Sequence, residues 1–173
     1  MLEQLDYVPT TTEGLDEATF LAKYPFLVIA VGVLEAPGNP DSAQFLTMAD
    51  GTGPLLQQAA AAPILGLELI RARKRGANPF THMITIGRAK NNDIIVNATD
   101  LSKFHAYLSQ DPSSGAWTLT DSGSTNGTYL DGERLIPRES YPIEPGQSAF
   151  LASTQITLLE GSVLYNFVRQ LEL

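Results

Sequence analysis

Cysteine is absent from the 173-residue chain, and histidine is limited to His82 and His105. Without thiols there is neither a disulfide framework nor a thiolate metal centre, and two histidines are too few for a typical zinc site. Long apolar runs are missing as well. The longest, FLVIAVGVL from Phe26 to Leu34, spans nine residues, whereas a membrane-crossing helix needs about 20, so this run reads as a buried strand. The opening MLEQLDYVPTTTEG lacks the basic and then apolar order of a signal peptide. The expectation is a cytoplasmic protein with no metal, no cofactor and no membrane insertion.

Basic residues are the scarcer charge, 11 Lys and Arg against 19 Asp and Glu, for a net charge of −8. Such a balance disfavours nucleic acid and acidic membrane surfaces as partners. The scarce cations are unevenly placed. Residues 71–103 hold Arg71, Arg73, Lys74, Arg75, Arg88, Lys90 and Lys103 against Asp93 and Asp100 alone. An acidic chain with a basic island attracts a short anion and repels a long polyanion. The RARKR run by itself supports no more than a solvated basic face.

An apolar fraction of 43% is enough to fill a core. LDEATFLAKY has helical spacing near residues 15–24 and stops before Pro25, after which comes the strand 26–34. EAPGNPDSAQ and DGTGP are loop chemistry; between them FLTMA reads as a short strand, and LLQQAAAA after them as one or two helical turns ending at Pro63. From Ile64 the pattern changes. ILGLELI, MITIG, DIIV, AYLS, WTLT, TYL, AFLA and ITLLE recur at close intervals between turn residues, the mark of an antiparallel sandwich or barrel. In the tail, Val163, Leu164, Phe167, Val168 and Leu171 form one helical stripe with Ser162 as its N-cap. The expected organisation is an α/β extension over residues 1–62, a β-sandwich over 63–160, and a C-terminal helix over 161–173 packed on it.

One stretch asks for a second explanation. DSGSTNGTYLDGERL, residues 121–135, combines Asn-Gly and Asp-Gly, both tolerant of the positive φ of hairpin turns. The same turns can hold Ser124, Thr125 and Asn126 rigidly towards a ligand. Other pieces line up with it: Gly87-Arg88 closing MITIGR, and Ser102 and His105 in LSKFH. Singly, each has an ordinary structural reading, a strand end or a turn. As an ordered set on strand-flanking loops they do not.

IGRAKNNDIIV, LSKFH, WTLTDSGSTNGTYLDGERL and YPIEPGQSAFL, over roughly residues 64–160, resemble the forkhead-associated (FHA) domain, a phosphothreonine-peptide-binding module. The resemblance implies an antiparallel β-sandwich of about eleven strands, which agrees with the segments read above. It also implies a binding site for a phosphothreonine-containing protein or peptide made by Arg88, Ser102, Lys103, Thr125 and Asn126. Arg88 would be the charged, fork-shaped donor that a phosphate needs, and Ser102, Lys103 and Thr125 further donors. Asn126 would grip the peptide main chain. Gly87, His105 and Gly127 would support the site, Gly87 by letting the strand end turn sharply and His105 by bracing the loop behind it. Two positions depart from the family: Asp131-Gly132 stands where a second Asn-Gly is common, and Lys103 where many members carry Arg.

The implied role is a signalling adaptor or regulatory protein downstream of a Ser/Thr kinase. Two other readings compete with it. Ser102, His105 and Asp121 or Asp111 can be drawn as a hydrolytic triad, but no nucleophile elbow surrounds the serine, and the chain is read as a non-enzyme. A scaffold that keeps the fold without phosphate binding is disfavoured by the intact Arg88, Ser102 and Asn126. A further variant is a self-inhibited switch, in which a phosphate on Thr10, Thr11 or Thr12 occupies the chain's own site as a tethered ligand.

Overall fold

The computed structural model describes residue 8, residues 10–33 and residues 67–172. The expected strand FLTMA and helical turns LLQQAAAA lie outside these residues. Two sheets form the body. In the first, β1 (Val28–Val33), β2 (Glu68–Arg71), β7 (Thr128–Leu130), β8 (Glu133–Arg134), β10 (Ser148–Leu151) and β11 (Thr154–Leu159) run in the order β2-β1-β11-β10-β7-β8. In the second, β3 (Ile84–Gly87), β4 (Ile94–Ile95), β5 (Ala106–Gln110), β6 (Trp117–Asp121) and β9 (Ser140–Ile143) run in the order β4-β3-β5-β6-β9. Among the described residues the fold is therefore a mainly β sandwich of eleven strands, flanked by helices α1 (Glu17–Lys23) and α2 (Ser162–Leu171). Its pairings are antiparallel except for β3 with β4, which run parallel.

The apolar run 26–34 follows from the place of β1. It pairs with β11 on one side and β2 on the other, and both of its faces are covered. Leu27, Ile29 and Val31 enter the core between the sheets with Ile86, Leu108, Leu119, Leu151, Ile156 and Leu158. Val28 and Ala30 turn to a second core with Phe20, Tyr24, Leu159, Leu164, Phe167 and Val168. A strand with two buried faces has no polar alternation to show. The segment assigned by sequence to the extension thus supplies an interior strand of the sandwich, because an apolar run reveals burial but not the sheet that provides it.

Both helices sit on this second core. The Asp16 carboxylate caps α1, accepting from Thr19 N–H at 3.0 Å and Thr19 Oγ1 at 3.1 Å. The N-cap of α2 is Gly161, not Ser162, and no side chain caps it. The chain reverses from β11 into the helix through φ 56° at Gly161, a conformation that glycine adopts without the clash a serine Cβ would bring. Glu172 closes the layer, its carboxylate accepting from Thr12 N–H and from Thr12 Oγ1 at 2.9 Å.

The RARKR run is largely absorbed by structure. Lys74 Nζ donates to Asp93 at 2.6 Å, and Arg71 lies over the Phe26 ring at 4.1 Å. Asp93 is buried and also accepts from Arg75 N–H at 2.8 Å and from Thr85 N–H and Oγ1, both at 2.9 Å. Burial alone would raise its pKa. The bonds from Arg75, Lys74 and Thr85 prevail and hold it at about 2. Among the described residues no helix is long and apolar enough to cross a membrane.

Candidate functional site

Three loops meet at one end of the sandwich. The first leaves β3 at Gly87, where the backbone presses against the second loop. A Cβ at Gly87 would lie 2.5 Å from the Lys103 carbonyl oxygen and 3.0 Å from His105 N, so close approach, not a sharp turn, is what demands glycine. The two loops are stitched by Arg88 N–H to Ser102 O and Ala89 N–H to Lys103 O, both at 3.1 Å, and by His105 N–H to Ile86 O at 2.9 Å. Asn92, buried below them, donates from Nδ2 to Ala89 O at 2.8 Å and to Lys103 O at 2.6 Å. Sequence reasoning passed over Asn92. Its one signal was a polar Asn-Asn-Asp run set directly before an apolar strand.

His105 links the second loop to the third. Ser102 N–H donates to Nδ1 at 3.2 Å, and Nε2 bonds the Gly127 carbonyl at 3.1 Å. A carbonyl only accepts, so Nε2 carries the proton and the ring is neutral. Burial lowers its pKa, against the Gly127 bond and the Asp121 and Asp100 charges that raise it. These bonds also remove the triad geometry. Both ring nitrogens serve the backbone, and Ser102 Oγ accepts from Thr125 N–H at 3.0 Å. Asp121 is committed to its own loop, and Asp111 to Ser113 and Ser114.

The third loop is folded around Asp121. This buried carboxylate accepts from Gly123 N–H at 2.8 Å, Ser124 N–H at 2.9 Å, Ser124 Oγ at 2.6 Å and Thr128 Oγ1 at 2.7 Å. Burial raises its pKa and these four bonds lower it, with a net lowering. Ser124 Oγ in turn accepts from Gly127 N–H at 2.9 Å. Gly127 has φ 85°, and a Cβ there would meet Arg134 Nε at 2.6 Å. Asn126, held by this frame, donates from Nδ2 to Asp100 O at 2.7 Å, while the Asp100 carboxylate accepts from Ser153 N–H at 3.0 Å. Beyond it, Asp131 and Gly132 have φ 50° and 86°, the two positive values of a type I′ hairpin between β7 and β8.

The loops enclose an open cleft of about 450 Å³ whose walls include Arg88, Ser102, Lys103, Thr125 and Asn126, with Thr99, Asp100, Leu101 and Phe104 between them. Arg88, Lys103, Thr125 and Asn126 are exposed and Ser102 is half-buried. Arg88 Nε donates to Leu101 O at 3.0 Å. That bond anchors the guanidinium, and among the described residues its two terminal nitrogens have no hydrogen-bond or ion-pair partner. Two cations, a serine hydroxyl free to donate while its oxygen accepts, and a second hydroxyl thus surround one cavity, a donor set suited to an anion with several acceptor oxygens. Gly87, His105 and Gly127 stand behind it. Of the N-terminal threonines, Thr10 and Thr11 are exposed, and Thr12 is buried with its hydroxyl on Glu172. Among the described residues no group of three His, Cys, Asp or Glu could hold a metal ion.

Residues 84–148 match the family model of the FHA domain. The FHA domain-containing protein FhaB of Mycolicibacterium smegmatis is 38% identical over 60 residues, covering 35% of this chain and 37% of its own length. The oxoglutarate dehydrogenase inhibitor of Corynebacterium diphtheriae is 30% identical over 95 residues, covering 51% of this chain and 62% of its own. The chain spans less than two thirds of the curated relatives it matches. Among solved structures, the FHA domain of an Arabidopsis thaliana hypothetical protein is 19% identical with a TM-score of 0.47, covering 78% of this chain and 86% of that one.

Proposed function

Because the chain carries an FHA domain, we propose that the Arg88 cleft captures phosphothreonine in a partner protein, and that the protein serves as an adaptor or regulator downstream of a Ser/Thr kinase. The observation that carries this reading is the convergence of Arg88, Ser102, Lys103, Thr125 and Asn126, from three loops, on one open cleft. In it Arg88 and Lys103 neutralise the dianion, and Ser102 Oγ and the Thr125 hydroxyl donate to its oxygens. Asn126 keeps one amide hydrogen and its Oδ1 for the peptide main chain after bonding Asp100. The leading test is calorimetric titration with one peptide in phosphorylated and plain forms. Only the phosphorylated form should bind; equal affinity for the two rejects the proposal.

Threonine is expected to bind better than serine in this account, since burying its extra methyl is worth about 0.8 kcal/mol or roughly fourfold in affinity. Matched phosphothreonine and phosphoserine peptides measure that difference directly, and equal affinities contradict it. Self-inhibition, if the chain uses it, runs through the exposed Thr10 or Thr11. Thr12 would first have to leave Glu172.

A further inference from the structure

Two large apolar side chains are exposed among the described residues, Phe80 at 42% and Ile136 at 56%. Ile136 follows β8 singly, an ordinary surface residue. Phe80 is the outer member of a row of three rings. Its ring is stacked on Phe104 with centroids 5.6 Å apart and planes 22° from parallel, and Phe104 in turn lies 6.1 Å from Tyr107, tilted by 31° against it. Tyr107 stands on the outer face of β5, since its neighbours Ala106 and Leu108 fill the core between the sheets. Phe104, next to Lys103, is also a wall of the cleft. The row therefore starts at the cleft and runs outward over the five-stranded sheet.

The loop that carries Phe80 does not depend on the ring for its anchorage. Asn78 Oδ1 accepts from Phe80 N–H at 3.2 Å and from Lys74 Nζ at 2.7 Å. Asn78 Nδ2 donates to Thr85 Oγ1 at 3.1 Å and Asn91 O at 2.9 Å. With the loop pinned by polar bonds, the exposed ring face is left without a structural task.

We propose that the Phe80–Phe104–Tyr107 row is a docking shelf for an apolar, preferably aromatic, side chain of the same peptide whose phosphothreonine fills the Arg88 cleft. The inference rests on the phosphothreonine reading of that cleft. Continuity identifies the occupant: Phe104 borders both surfaces, and an extended peptide advances about 3.3 Å per residue, so a residue a few positions from the phosphothreonine reaches the shelf. A flat side chain there extends the row at ordinary ring separations of about 4.5–7 Å.

The test uses alanine-based phosphothreonine peptides in which a single phenylalanine is walked through every flanking position, titrated into the full chain and its Phe80→Ser and Phe80→Leu variants. Phenylalanine at one or two adjacent positions on one side should tighten binding by about 5–10-fold. Phe80→Ser should abolish that gain and Phe80→Leu keep part of it. Both variants should stay folded at the temperature of titration and retain the affinity for the all-alanine phosphopeptide and the rejection of its plain form. The shelf is overturned if phosphorylation governs binding yet no position of phenylalanine improves it, or if the gain survives in Phe80→Ser. Failure of every phosphopeptide to bind overturns the cleft reading, and the shelf with it.

Discussion

On the outer face of the six-stranded sheet, Phe20, Tyr24, Leu164, Phe167 and Val168 pack against Val28, Ala30 and Leu159; at the cleft end, buried Asn92, Asp93, His105 and Asp121 are held by directed hydrogen bonds. The helical layer is held by non-directional burial, which tolerates many sequences of similar volume. The cleft end needs particular atoms at particular places, since each buried polar group requires its partner. Regions that must hold loops rigidly, yet keep their outer faces open to a ligand, are built in the second way. The contrast predicts that substitutions on the helical side change stability alone, and that those at the cleft divide by depth.

The largest effect belongs to Phe167→Ala. Removing a side chain that is 2% exposed from the outer core should cost about 3–5 kcal/mol in urea unfolding, while the fraction that remains folded binds phosphopeptide as the wild type does. Reduced affinity in that folded fraction would mean that the helical layer and the cleft are coupled.

Acid titration isolates one polar clamp. Asp93 has a folded pKa of about 2 against an ordinary 3.8. Its stabilisation is therefore complete above about 3.8 and lost as the pH falls through about 2. The difference amounts to about 2 kcal/mol, and Asp93→Asn should flatten this part of the acid limb in unfolding measured across it. An unchanged limb would assign acid sensitivity to other carboxylates.

His105→Ala sits between the two regions, a buried bridge whose loss frees both the Ser102 and Gly127 partners. It should lower stability by about 1–3 kcal/mol and lower phosphopeptide affinity as well. Because burial holds the histidine pKa below 6.5, the unfolded chain takes up the proton more readily. Wild-type stability therefore declines as the pH falls below about 6.5, and the variant lacks that decline. A variant with unchanged melting and lost binding would make His105 a direct ligand group.

The same contrast accounts for what could be read in the sequence. Short apolar segments between turn residues revealed a sandwich, and Asp131-Gly132 its hairpin, because strand periodicity and turn chemistry are local. The motif residues from Gly87 to Gly127 stood out as an ordered set that brought five side chains to one cleft. The loop-holding roles of Asn92, Asp93, Asp100 and Asp121 were not legible. Asn92 and Asp100 act on residues 11 and 53 positions away, and a local pattern does not reveal partners so distant. Phe104 read as an apolar residue inside a motif, and its stacking on Phe80 appears only when the loop before β3 folds over the sheet. β1 was visible as buried, but its place between β2 and β11 depends on contacts far along the chain.

The central claim is that Arg88 serves a ligand and not the fold, and its most direct test is a paired reading of Arg88→Ala. Melting temperature and calorimetric affinity for a phosphothreonine peptide are measured on the same preparation, beside the wild type. Arg88 is exposed, so melting should be unchanged, while loss of a charge-assisted contact should weaken binding by about 1.5–3 kcal/mol or more, at least tenfold. Unaltered phosphopeptide affinity in Arg88→Ala would contradict the account.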